Sequence, residues 1–200
     1  MVKLAQVTGQ SAQEVSDQMT AIWNNFDDGS TSLEHYADAL TKLGAATAAS
    51  TDEIAEGLEK FAAIADTVGL SYETAAAAVA TVVDRTRQSA DVVGTSFKTI
   101  FARMEGLTLG ETLDDGVNLN KYSAALESVG IEVLNASGEL RSMDDLLGEL
   151  GEKWQYFGEE TQIALAQTVG GIRQYNQMIA LMDNWDSVQR NITLATESTG

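Results

Sequence analysis

Ser50-Thr51-Asp52-Glu53-Ile54 opens the stretch that decides the fold. A serine followed three residues later by glutamate can satisfy two orphan amides at a helix N-terminus reciprocally. Ile54, Leu58, Phe61, Ala65 and Val68 then recur at helical spacing until Gly69 closes the run. Two residues on, Ser71 caps an alanine-rich stretch that extends to about Arg85. Within it, Thr74 to Val83 is too short to cross a bilayer and is edged by Glu73 and Asp84. It reads as a helix whose small side chains let a neighbour approach closely.

The same grammar repeats outward. Ser11 with Glu14 opens a helix faced by Val15, Met19, Ile22, Trp23 and Phe26, and Asp28-Gly29-Ser30 ends it. Thr31 with Glu34 opens the next, carrying Leu33, Tyr36, Leu40 and Leu43 up to Gly44. Ser89 or Asp91 starts another, with Val93, Phe97, Ile100, Phe101 and Met104 facing inward. Further helices are expected from Leu119 to Ser128, from Ser142 with Asp145 through Leu146, Leu147, Leu150 and Trp154, and from Glu159 to Val169. Two more run from Ile172 to Asp183, after Gly170-Gly171, and from Trp185 to roughly Ser198. One passage is β-like: Ile131-Glu132-Val133-Leu134, a turn at Asn135-Ala136-Ser137-Gly138, then Glu139-Leu140-Arg141. The expected fold is all-α, a bundle of about eight to ten short capped helices with one small β-hairpin near residues 131–141. From 106 to 120 the helical pattern fails, so a loop there is expected to separate a helical subdomain at 1–105 from a second at 121–200.

Composition supports helices and removes several chemistries. The 200 residues contain no proline, the residue that breaks helix interiors. Lys and Arg number 12 against 30 Asp and Glu, for a net charge of −18. Such a chain repels phosphate backbones and anionic membrane surfaces, so direct nucleic-acid binding is disfavoured. Cysteine is absent, which removes disulfides, thiolate metal sites and thiol nucleophiles. No stretch is long and apolar enough to span a membrane. Glycine interrupts the helices too often for a continuous coiled coil.

The candidate catalytic and metal groups read as structural. Placing Gly29 or Gly116 at the glycine position of a calcium loop puts Phe26 or Leu113 where an oxygen ligand is required. His35 is the only histidine and has no positioned nucleophile, so it reads as an exposed helix residue. Glu159-Glu160 and Asp144-Asp145 fall in first helical turns, where carboxylates favour the macrodipole. No enzyme, metal site or cofactor is expected. One segment departs from the acidic background: Arg85, Arg87, Lys98 and Arg103, interleaved with Phe97, Ile100 and Phe101. It reads either as cations paired with the molecule's own acidic surface or as a contact for another acidic protein surface, such as a second copy. The residues of that contact would be Arg85, Arg87, Phe97, Lys98, Phe101 and Arg103.

Several ordered motifs carry a family resemblance. They are Ala45-Ala46-Thr47-Ala48-Ala49-Ser50-Thr51-Asp52-Glu53-Ile54, Ala80-Thr81-Val82-Val83-Asp84-Arg85-Thr86-Arg87-Gln88-Ser89 and Val93-Gly94-Thr95-Ser96-Phe97-Lys98-Thr99-Ile100-Phe101-Ala102-Arg103. The stretch Gly130-Ile131 to Leu140-Arg141 follows, then Val169-Gly170-Gly171-Ile172-Arg173-Gln174 and Ala180-Leu181-Met182. In this order they resemble the core region of tail tape measure proteins of tailed bacteriophages. The resemblance implies a structural protein that helps determine tail length, organises tail tube assembly and takes part in genome ejection. It further implies residence in the lumen of the virion tail after synthesis in the host cytoplasm, and a longer parent chain. The implied partners are other copies of itself, the tail tube protein, tail assembly chaperones and tail tip or distal tail proteins. A helical adaptor or scaffold unrelated to phage is the competing reading.

Overall fold

The computed structural model describes residues 11–27, 29, 31–105 and 120–198, and ten helices occupy them. The first six are α1 (Ala12–Phe26), α2 (Leu33–Ala46), α3 (Thr51–Glu59), α4 (Ala62–Thr67), α5 (Tyr72–Thr86) and α6 (Ala90–Glu105). The remaining four are α7 (Asn120–Ser128), α8 (Met143–Trp154), α9 (Glu159–Asp183) and α10 (Trp185–Thr196). The expected loop at 106–120 lies almost wholly outside the described residues.

Serines start these helices because their hydroxyl accepts from an amide that has no partner within the helix. The amides of Glu14 and Glu53 donate to Ser11 Oγ and Ser50 Oγ, and the two glutamates accept from the serine amides in return. Ser71 and Ser142 cap α5 and α8 in the simpler one-way form. The cap of α2 is Ser32, one residue past the expected Thr31, with its Oγ 3.2 Å from the His35 amide.

Helix α5 sits at the centre. Tyr72 and every residue from Thr74 to Val83 are buried, so the helix has no solvent face along most of its length. Helices α2, α3, α6, α9 and α10 pack around it. One contiguous hydrophobic core runs from Val15 in α1 to Ala195 in α10, and it joins helices on both sides of the 106–119 segment.

The structure departs from the expected elements at the third helix and at the hairpin. The helix expected from Ser50 to Val68 breaks at Lys60-Phe61, where Phe61 takes a non-helical conformation. The break turns the Phe61 ring into the core, with its centroid 5.6 Å from those of both Phe97 and Phe101. The expected β-hairpin does not form: among the described residues there is no strand, and Leu134 and Leu140 make a single isolated antiparallel bridge. The amides of Asn135 and Arg141 donate to the carbonyls of Glu139 and Val133 on either side of the bridge, and side chains make the bonds around them. Asn135 Oδ1 accepts from the amides of Ser137 and Glu139, and Arg141 donates to the Glu132 carbonyl. The segment is instead tied to α8. Arg141 and Lys153 each lie 2.6 Å from Glu149, and Lys153 also donates to the Gly130 carbonyl.

The last helix is held by a comparable clasp. His35 joins α2 to Glu73 Oε1 and to the Ser198 carbonyl, both at 2.7 Å, while Lys42 donates to the Glu197 carbonyl. Side chains of α2 thus reach carbonyls left unpaired at the end of α10. His35 is therefore not the exposed residue expected; its side chain is only 17% accessible.

Close packing without side chains marks the contact between α8 and α10. A Cβ on Gly151 would fall 2.1 Å from the indole of Trp185, a rigid ring with no room to retreat. Gly148, on the same helix, has no atom within 4 Å of that position. Gly151→Ala is expected to destabilise the fold by about 1–3 kcal/mol because overpacking outweighs helix propensity. Gly148→Ala should be neutral or stabilising, and thermal melting of the two variants checks the pair.

The Glu149 clasp gives a pH signature. Hydrogen bonds from Lys153 and Arg141 hold its carboxyl below the usual range. Its stabilisation is therefore present above the unfolded value and is lost as pH falls through the lowered folded value. Acid melting curves of Glu149→Gln should show a weaker dependence on pH in that window than those of the native chain.

Candidate protein-interaction groove

The six residues expected to form one contact do not share a surface. Phe97 and Phe101 are fully buried and pack edge-on or tilted against Phe61 and each other. Lys98 is exposed on α6. The reason is helical phase: at about 100° per residue, neighbours interleaved in sequence point to different faces. Arg85 donates to Ser187 on α10 and lies 3.6 Å from Asp84. Arg87 ends α5 in the left-handed conformation, and its guanidinium donates to the Ala48 carbonyl. These two arginines tie helices together within the molecule. Of the six, Arg103 lines a groove.

That groove, of about 890 Å³, lies between α6, α7 and the kinked helix α9. Thr99 and Arg103 come from α6, Lys121 from α7, and Ala164, Gln167, Thr168 and the stretch Gly171 to Gln174 from α9. A shallower depression of about 320 Å³ continues it along α9 past Ala125, Val129, Glu160 and Leu165, and shares Ala164 and Thr168 with it.

The kink makes the wall. Gly171 has φ 72° and ψ 165°, a backbone region open essentially to glycine alone. A Cβ there would also lie 2.9 Å from the Arg103 guanidinium. Glycine thus allows both the bend and the close seat of Arg103, which donates to the Tyr122 hydroxyl at 3.0 Å. Past the bend, Ile172 is 83% exposed and Arg173 is exposed beside it.

The groove is cationic in an acidic molecule. Arg103, Lys121 and Arg173 line its larger part with no carboxylate among the described lining residues. Neither Lys121 nor Arg173 forms an ion pair or a side-chain hydrogen bond among the described residues. The arrangement offers charge and apolar surface for binding and no nucleophile–base pair. No group of three potential metal-ligating side chains occurs among the described residues, and none of their helices is long and apolar enough to cross a membrane.

Sequence reading missed Lys121, Ile172 and Arg173. Ile172 lies in helical phase with Tyr175 and Ile179, so periodicity marks it as core. Only the bend at Gly171 turns it outward. Gly171→Ala is expected to cost about 1–3 kcal/mol from backbone strain alone, with displacement of Arg103 in addition. Chemical denaturation of the variant measures the first, and the lost contact to Tyr122 should change tyrosine fluorescence.

No solved structure matches the chain. Residues 1–171 match the family described as phage-related minor tail protein, a span that includes the kink and two of the three cations of the groove. The chain therefore belongs to the phage-related minor tail protein family.

Proposed function

We propose that this chain is the core segment of a tail tape measure protein: a structural and assembly component that helps set tail length, organises tube assembly and takes part in genome ejection. The family match over residues 1–171 carries the reading. The order of motifs from Ala45 to Met182 favours the tape measure branch of tail proteins. In this reading the chain lies in the lumen of the tail. It contacts other copies of itself, the tail tube protein, tail assembly chaperones and tip or distal tail proteins, and it catalyses nothing.

The fold adds a qualification about how such a segment could act. A ruler needs a length proportional to residue number, about 1.5 Å per residue if helical. Helices folded around the buried α5 do not extend in that way. The segment therefore serves as an assembly or docking module rather than as the proportional part of the ruler.

Deletion of residues 106–171 from the phage gene separates the two roles. An extended ruler would lose about 100 Å of tail at helical rise and still assemble. A folded module loses α7, α8 and half of α9 and unfolds cooperatively. Electron micrographs should then show few or no tails. Normal yields of tails shortened by that length would refute the module, and absence of the chain from purified tails, by mass spectrometry, would refute the tail reading itself.

A further inference from the structure

We infer that the cationic groove along α9 receives an acidic surface of a second copy of this chain, in a head-to-tail contact. The inference rests on the self-association proposed above and names its surface and geometry. Charge complementarity points to the occupant. The chain carries −18 overall, so the surface that a second copy offers is predominantly carboxylate. Among the described residues Lys121 and Arg173 meet no carboxylate, even though acids outnumber bases 30 to 12 in the chain. Most of the other described cations are engaged. Lys60 pairs with Asp91, Arg141 and Lys153 pair with Glu149, and Lys42 and Arg87 bond to carbonyls. Largely exposed Ile172 beside Arg173 supplies an apolar anchor within the charged rim.

The geometry follows from the charge distribution. A two-fold contact places one patch against its own copy. Groove on groove would oppose Lys121 and Arg173 to the same two cations, an arrangement that repels. The contact must therefore join the groove of one copy to a different, acidic surface of the next. Contacts of that kind close into rings or propagate as open assemblies. Nucleic acid is the less favoured occupant because the remainder of the molecule repels phosphate.

Sedimentation velocity on the native chain, together with Lys121→Glu/Arg173→Glu, tests this. The native chain should form species larger than monomer as concentration rises, and the double variant should weaken that association by about tenfold or more. The substituted residues are exposed, so unchanged melting is expected to accompany the loss. Lys60→Glu/Arg190→Glu makes the same change in net charge away from the groove and should have a much smaller effect.

A mixing experiment reads the head-to-tail geometry. The groove-defective variant keeps its acidic surface, so in excess it should cap native chains and shorten their assemblies. A native chain that stays monomeric at every concentration overturns the proposal, as does association that the double variant leaves intact. Failure of the variant to cap overturns the head-to-tail geometry. Retention on a DNA duplex that the double variant abolishes would assign the groove to nucleic acid instead. None of these outcomes bears on the tail reading, which purified tails decide.

Discussion

The fold depends on burying a helix from every side. Most surface helices hide one stripe and wet the other, but α5 has no wet side between Thr74 and Val83. Alanine makes this arrangement feasible. It loses no rotamer freedom on burial and lets neighbouring backbones come close, so several helices can share one axis. The few polar groups along that axis are matched individually: Tyr72 donates to the Tyr36 carbonyl, and Thr81 accepts from Asn191 of α10. Burial on this scale raises the Tyr72 phenol well above its ordinary range and keeps it protonated as a donor.

Because α5 contacts elements from both ends of the chain, the described helices form one continuous core. Around it, the joints are made where side chains are missing as much as where they are present. Gly94 lies so close to Gly57 that an added Cβ would stand 2.3 Å from the Gly57 carbonyl oxygen, which sets the spacing of α6 on α3. Trp185 rests on Gly151 in the same manner, while Trp154 donates to Asp183 and so secures the junction of α8 with α9. Polar clasps then fix the periphery. Arg141 and Lys153 converge on Glu149, and His35 and Lys42 reach the end of α10.

The groove arises from the one helix that this core cannot keep straight. Gly170-Gly171 bends α9, and the bend moves Ile172 and Arg173 from the packed side to the rim. Cations are scarce in this chain, and those near carboxylates or free carbonyls are engaged by them. Lys121 and Arg173, which pair with nothing among the described residues, lie where α7 and α9 approach α6. A surface of one sign on a molecule of the other orients the encounters it makes, which an evenly acidic surface would not.

Local chemistry along the chain sets the helices and most of their ends. Ser11, Ser50, Ser71 and Ser142 could be read as caps because capping is a bond between a side chain and an amide three residues away. The apolar phase of α1, α2 and α6 was legible for the same reason: it is a local property of a 3.6-residue repeat. Tertiary structure decided the rest. Phe61 breaks its helix to reach Phe97 and Phe101, residues some forty positions away, and no local pattern encodes that attraction. The stretch from Ile131 to Arg141 alternates like a hairpin, yet Glu149 and Lys153 of α8 hold it as a turn with a single bridge. The six residues between Arg85 and Arg103 disperse because helix rotation of about 100° per residue sends neighbours to different faces. The groove was invisible for the converse reason, since its cations come from three helices that meet only once the core has packed.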